Sequence, residues 1–181
     1  GRNDAIPNSC KYYVGPLGRA GAPEAGQLCS EADLVLAIGT RLWHFTTFYD
    51  DRYLKKNTNI IQVNTDPFEI GRHYPVSVGL VADAKATLLA ILEKVLEQGV
   101  TKKSIAWHQR TQELKQSRIA RLERESVPRG SDLLPQQVYA ELRNVLPSNT
   151  IVTLDAGACP AFLGAAPRFD TIFVINRNGT F

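Results

Sequence analysis

Methionine is absent from this chain, tryptophan occurs twice and cysteine three times. The missing methionine includes the initiator, and the chain opens on Gly1-Arg2-Asn3-Asp4 without a cap or a helix signal, so the expectation is a piece of a longer protein. Cys10, Cys29 and Cys159 are odd in number, with no CxxC pair and no histidine at ligand spacing. That argues against a disulfide framework or a zinc site and fits a reduced, cytoplasmic setting. No apolar run approaches the roughly 18 residues of a membrane-spanning helix, and a signal-peptide pattern is lacking, so no membrane partner is expected. Charge of one sign is scarce as well. The formal net charge of +3 is not confined to one block, which gives no reason to expect nucleic acid. The dinucleotide fingerprint GxGxxG is also missing: the glycines of Gly15-Pro-Leu-Gly18-Arg-Ala-Gly21 fall at intervals of three and read as a plain loop.

What is present describes an ordinary soluble chain, 44% hydrophobic and 22% charged over 181 residues, enough for one domain or one and a half small ones. Its organising stretch runs from Asp33 to Asp83. Two apolar runs, Asp33-Leu-Val-Leu-Ala-Ile-Gly39 and Asn59-Ile-Ile-Gln-Val-Asn-Thr-Asp66, are short, rich in Val, Ile and Leu, and lack clean alternation. Such runs suit strands buried on both faces of a parallel sheet. Ligands of open parallel sheets bind beyond the carboxyl ends of the strands, which puts Gly39-Thr40-Arg41 and Asn64-Thr65-Asp66 where a nucleotide pocket would be.

Before this stretch, Ala22-Pro23-Glu24 starts a short helix to about Ala32, with proline near its first turn. The loop from Thr40 to Tyr53 carries Trp43, His44, Phe45, Phe48 and Tyr49. A lone histidine among aromatics is a packing residue more often than a catalyst, and the aromatics either line a ligand or cover the sheet end. Pro67 to Ile70 reads as a short helical turn and Val76 to Val81 as a third strand. Asp83 is a credible cap for a helix from Ala84 to Gln98, whose Leu88, Leu89, Ile91, Leu92, Val95 and Leu96 recur at helical spacing before Gly99 stops it. The charged stretch from Thr101 to Ser126 reads as a solvated connecting helix. Ser131 or Asp132 caps another helix to Leu146, and the strands Thr150 to Leu154 and Thr171 to Ile175 open a second α/β unit.

The order of these motifs resembles the middle of a thiamine-diphosphate-dependent enzyme of the acetolactate synthase type. The likeness rests on Gly15 to Gly21, Glu31-Ala-Asp-Leu-Val-Leu-Ala-Ile-Gly-Thr-Arg41, Ile61-Gln-Val-Asn-Thr-Asp-Pro-Phe-Glu-Ile-Gly71 and Tyr74-Pro-Val-Ser-Val-Gly-Leu-Val-Ala-Asp-Ala-Lys85. Leu134 to Leu142 and Ile151 to Gly157 look like the opening of the diphosphate-binding domain. The implied fold is α/β: a partial Rossmann-like parallel sheet with flanking helices, of the DHS-like central-domain kind, followed by the first elements of a second α/β domain. The implied division is residues 1–99 for the end of the central domain, 100–130 for a charged helical linker and 131–181 for the truncated start of the next domain.

By resemblance, the parent enzyme uses thiamine diphosphate and Mg²⁺, decarboxylates a 2-oxo acid, passes the carbanion to an acceptor, and is a homo-oligomer. FAD or an adenine nucleotide, in members that hold one, would meet Leu17, Gly18, Arg19, Ala20, Gly39, Thr40, Arg41, Leu42, Trp43, Asn64, Thr65, Asp83 and Ala84. The cofactor's diphosphate would meet Ala158 and Cys159, where polar residues are usual, so only backbone amides would serve there. Departures from the family pattern are Asn64 for the usual acid, Ala82 for a usual glycine, and a divergent tail from Asp170 to Phe181. The activating glutamate belongs to a domain outside this stretch, and no Gly-Asp-Gly occurs in it. No catalytic or metal-ligating residue is therefore assigned. The stretch alone is expected to be inactive, marginally stable and a poor binder of FAD. The other reading is a non-catalytic nucleotide-binding module of Rossmann-like fold. An NAD-dependent oxidoreductase is disfavoured by the missing fingerprint.

Overall fold

The structure is a computed structural model that describes residues 5–19, 21–100, 104–127, 130, 133–147, 150, 152–155 and 172–175. Its contacts divide the chain into two compact units, residues 27–105 and residues 1–26 with 106–181. The element order is α1 (Pro23–Glu31), β1 (Leu34–Ile38), α2 (His44–Thr47), β2 (Asn59–Asn64), a 3₁₀ turn (Pro67–Glu69), β3 (Val78–Val81) and α3 (Ala84–Glu97). It continues with α4 (Ile105–Ser126), α5 (Pro135–Val145), β4 (Val152–Asp155) and β5 (Ile172–Ile175).

The unit of residues 27–105 is built on a three-stranded sheet in the order β1-β2-β3, parallel throughout. Leu34 pairs with Asn59 and Ile38 with Val63, while Ile61 pairs with Val78 and Asn64 with Val81. With flanking helices this is the Rossmann-like α/β arrangement that the apolar runs imply. One face is closed: Ala37, Leu42, Leu54 and Ile60 form its core, with Cys29, Val35, Tyr74 and Val76 packed against them. The alternate residues Leu34, Leu36, Val78 and Leu80 of the other face are exposed. That face is open over much of β1 and β3 while Val63 of β2 is fully buried on it, so the strands are not covered throughout on both faces as the sequence pattern suggests.

Helix α3 begins as expected, with Asp83 Oδ1 accepting from Ala86 N at 2.9 Å, and ends one residue before Gln98, with Gly99 at φ +58°. Its apolar stripe is not the buried face the periodicity suggests. Leu88, Leu89, Ile91, Leu92, Val95 and Leu96 are all exposed, and Thr87 is its buried residue.

The other unit rests on α4. Thr111, Leu114, Arg118 and Leu122 are buried along one stripe, so this helix packs instead of merely connecting. Arg121 grips the buried Glu24 carboxylate through both Nε and Nη2, at 2.8 and 2.9 Å, and also pairs with Glu125 at 3.2 Å. Burial alone would raise the Glu24 carboxyl, but the paired Arg121 guanidinium carries it below its usual value. Lys115 Nζ donates to Cys10 O at 2.6 Å and Gln112 Nε2 to Lys11 O at 2.7 Å, tying the amino-terminal stretch to the helix. Helix α5 starts at Pro135, where Gln137 Oε1 accepts from Leu134 N at 2.9 Å. The expected caps Ser131 and Asp132 lie outside the described residues. Strands β4 and β5 form a second parallel pair, with Val152 opposite Ile172.

Candidate functional site

The carboxyl ends of β1, β2 and β3 bring several of the sequence-predicted residues together. Gly39 lies at φ +63°, a conformation that costs most side chains dearly, and donates its N–H to Val63 O at 2.9 Å. A Cβ there would come 3.9 Å from that of Ala84, so backbone conformation, not space, calls for glycine. Ala82 N donates to Asn64 O at 3.1 Å, and Asn64 Nδ2 reaches Thr40 O at 3.5 Å. Thr65 and Asp83 are exposed beside them. Asp83 has its carboxylate on the α3 cap, and Asn64 Oδ1 accepts from Asp66 N at 3.0 Å. Leu42 is a different case: its side chain is buried in the sheet core, and its N–H donates to Thr40 Oγ1 at 3.3 Å.

The Pro16–Gly21 turn, with Leu17, Gly18 and Arg19, belongs to the other unit. Gly21 N donates to Gly18 O and Ala22 N to Pro16 O, both at 2.8 Å, so these amides are consumed by the turn itself. A Cβ on Gly21 would strike Pro16 O at 2.5 Å, which explains its glycine without a phosphate. Ala20, Ala158 and Cys159 lie outside the described residues.

A side chain that the motif reading passed over organises the strand ends. Gln62, in the middle of β2, is 2% exposed. Its Nε2 donates to Glu69 O at 3.0 Å and Thr40 O at 3.3 Å, and its Oε1 accepts from Gly71 N at 2.9 Å. One amide thus fixes the loop after β1 against the turn after β2. The signal was a glutamine inside a run expected to be buried, because a buried amide must find partners.

Around this frame the loop residues form a charged and aromatic rim. Glu69 is buried and pairs with Arg72 at 2.8 Å and Arg41 at 3.8 Å. The Arg41 guanidinium lies 5.2 Å from the centre of the Trp43 ring. His44 meets Phe45, Phe48 and Tyr49 edge-on with ring centres 5.5 to 5.8 Å apart, which is the packing role expected of it. Tyr49 also stacks on His73 at 4.4 Å. Leu42, Phe48 and Tyr49 hold positive φ angles of 52°, 61° and 59°, so three non-glycine residues of one loop carry backbone strain.

A cleft of this unit lies elsewhere. About 430 Å³ in volume, it is lined by Tyr49, Leu54, Lys55, Thr58, Ile60 and Tyr74 among others, beside the amino-terminal end of β2. Tyr74 Oη donates to Asp50 O at 3.0 Å there, and burial raises its phenol above the usual value. The Asp50 carboxyl is held low chiefly by its hydrogen bond from Arg52. Lying away from the strand carboxyl ends, this cleft is a weaker candidate than the rim. Among the described residues, no group of three His, Cys, Asp or Glu side chains is placed to hold a metal ion, and no helix is long and apolar enough to cross a membrane.

Comparison with known proteins agrees with this sheet. Residues 1–91 match the family described as thiamine pyrophosphate enzyme, central domain. A sulfoacetaldehyde acetyltransferase of Roseovarius nubinhibens is 32% identical over 185 residues, covering 93% of this chain and 31% of the relative. The acetolactate synthase large subunit of Haemophilus influenzae is 29% identical over 168 residues, covering 92% and 28%. A sulfoacetaldehyde acetyltransferase of Rhodobacter capsulatus reaches 44% over 95 residues, 51% of this chain. The chain spans less than a third of the length of the first two relatives. The matched half of the chain carries the parallel sheet with its flanking helices, and on that match the chain belongs to the thiamine pyrophosphate enzyme family, through its central domain.

Proposed function

We propose that this chain is part of a thiamine-diphosphate-dependent enzyme that decarboxylates a small 2-oxo acid and hands the resulting carbanion to an acceptor. The observation that carries the reading is the family match over residues 1–91, laid on a sheet of the corresponding architecture. The relatives' names, sulfoacetaldehyde acetyltransferase and acetolactate synthase, favour transfer of a two-carbon unit. Thiamine diphosphate, when bound with Mg²⁺, supplies the carbanion stabilisation that such transfer needs. The residues proposed for its diphosphate are the backbone amides of Ala158 and Cys159.

The role proposed for residues 27–105 is scaffold and nucleotide site, in a homo-oligomer. Gly39 and Thr40, Arg41 and Trp43, Asn64 and Thr65, and Asp83 and Ala84 would border an adenine nucleotide or FAD. Gly39 offers close backbone approach, and Arg41 with Trp43 offers charge and a ring face. Asp83 caps α3 first and is a ligand contact second.

The test of the reaction is CO₂ release from pyruvate by the enzyme carrying this stretch, with and without thiamine diphosphate and Mg²⁺. Release that depends on both supports the proposal, and turnover unaffected by removing the cofactor sinks it. Replacing Gly39 by valine tests the scaffold role: a β-branched residue at φ +63° is expected to lower stability and any nucleotide affinity together.

A further inference from the structure

The cleft beside the amino-terminal end of β2 has a chemistry of its own, apart from the rim at the strand carboxyl ends. Its volume of about 430 Å³ falls within the range that small organic ligands occupy. Leu54 and Ile60, 3% and 2% exposed, give it an apolar floor, and the Tyr49 and Tyr74 rings line it as well. The Tyr49 ring is held there against backbone preference. Phe48 and Tyr49 are successive left-handed residues, at φ +61° and +59°, where glycine or asparagine would sit with less strain. The ring so placed lines the cleft and stacks on His73 at 4.4 Å. Strain of this kind collects at positions that clamp a ligand.

The charges around this floor narrow the ligand. Asp50 is already offset, because Arg52 Nε donates to its two carboxylate oxygens at 3.0 and 2.8 Å. Lys55, Lys56 and Asp51 also line the cleft, and their side chains have no hydrogen bond or ion pair among the described residues. Two amines against one carboxylate leave a single positive charge in excess. That excess suits a monoanion. A dianion such as inorganic phosphate would meet the Asp51 carboxylate and bring no apolar surface to Leu54 and Ile60. Lysine amines act as point charges and need no planar, two-pronged partner, so a carboxylate satisfies them. The two tyrosine rings favour a flat body, which gains ring contacts beyond its buried area.

We infer that this cleft is a separate small-molecule site for an aromatic monocarboxylate. The body lies on Leu54, Ile60 and the Tyr49 and Tyr74 rings, and the carboxylate meets Lys55 and Lys56. The site needs neither the reaction nor the nucleotide proposed above, and it lies away from the strand ends assigned to that nucleotide.

Ligand-observed NMR on the full chain, with 3-phenylpropionate, its neutral amide, phenylalanine and inorganic phosphate as probes, registers even weak binding. The acid is expected to bind about three- to fivefold more tightly than the amide, the scale of an exposed ion pair. Lys55→Gln and Lys56→Gln should each narrow that ratio with the melting temperature unchanged, since both lysines are exposed. Tyr49→Asn, which suits φ +59°, should weaken acid and amide alike while keeping their ratio. Equal affinity for acid and amide, or a ratio that survives both lysine substitutions, overturns the inference. Acid and amide binding untouched by Tyr49→Asn overturns it too. Displacement of the acid by equimolar phosphate would reveal a site for charge alone, and tighter binding of phenylalanine would assign the cleft to a zwitterion held by Asp51. Either outcome overturns the monocarboxylate, as does absence of binding by all four probes.

Discussion

The unit around α4 and the unit around the sheet are held by different forces. In the first, several contacts between distant parts of the chain are ionic or charge-assisted: Arg121 on Glu24, Lys115 on Cys10 O, and Arg118 beside the Tyr13 ring. In the second, a strand ladder and a small apolar core do most of the work, and one neutral amide, Gln62, joins the loops. The difference follows from composition. The α4 sequence has few large apolar residues to bury, so it fixes its neighbours by directional groups. The sheet strands have many, and cover one face of them more fully than the other.

This contrast can be broken or sharpened by substitution. The largest effect is expected from Arg121→Ala, which strands the buried Glu24 carboxylate and should cost about 3–5 kcal/mol in urea unfolding. A loss under about 1 kcal/mol would place the pair with ordinary exposed ion pairs and erase the contrast. Gln62→Leu should cost about 2–3 kcal/mol, because it removes three hydrogen bonds to backbone groups at roughly 1 kcal/mol each. Faster hydrogen exchange at the Gly71 amide would locate the loss, and unchanged exchange would contradict it. Asp83→Ala should cost about 1 kcal/mol through the α3 cap. At Leu92, exposed on α3, replacement by glutamine should stay within about 0.5 kcal/mol while reducing self-association in sedimentation.

Acid supplies a test without mutation. The folded Glu24 carboxyl lies below its usual value, so its contribution is present above the unfolded value of about 4.3 and fades as pH falls through the folded one. Stability of the α4 unit should therefore drop below about pH 4, and Glu24→Gln should flatten that part of the curve. An unchanged acid limb in the variant would assign the loss to other carboxyls.

Much of this frame is legible in the sequence, for reasons that also mark where legibility stops. β1 and β2 announce themselves as Val, Ile and Leu runs, and Asp83 and Gly99 bracket α3 by chemistry that needs no tertiary context. α2 does not, because His44-Phe-Thr-Thr47 is a poor helix former. It persists through local side-chain and capping contacts: Thr47 Oγ1 donates to Leu42 O and Trp43 O, and Phe48 turns left-handed to end it. The exposure of the α3 stripe was hidden for another reason. Periodicity tells which residues share a face, but says nothing of whether that face is covered. Within the candidate site, the glycine and asparagine strand ends were readable from their place after apolar runs. The contact of Arg41 with the Glu69–Arg72 pair was not, because Arg41 is distant in sequence and meets them only when Gln62 draws two loops together.

The left-handed pair Phe48 and Tyr49 bears on how this protein would be engineered. Backbone reasoning alone recommends glycine at position 48, since an ordinary side chain there costs about 1–2 kcal/mol. Yet the same ring carries the Arg52 guanidinium at 4.1 Å and meets His44 and Tyr53. A stabilised variant designed on backbone geometry would thus strip the rim of its aromatic order. One designed to keep the rings must accept the strain, so position 48 sets stability and surface architecture against each other.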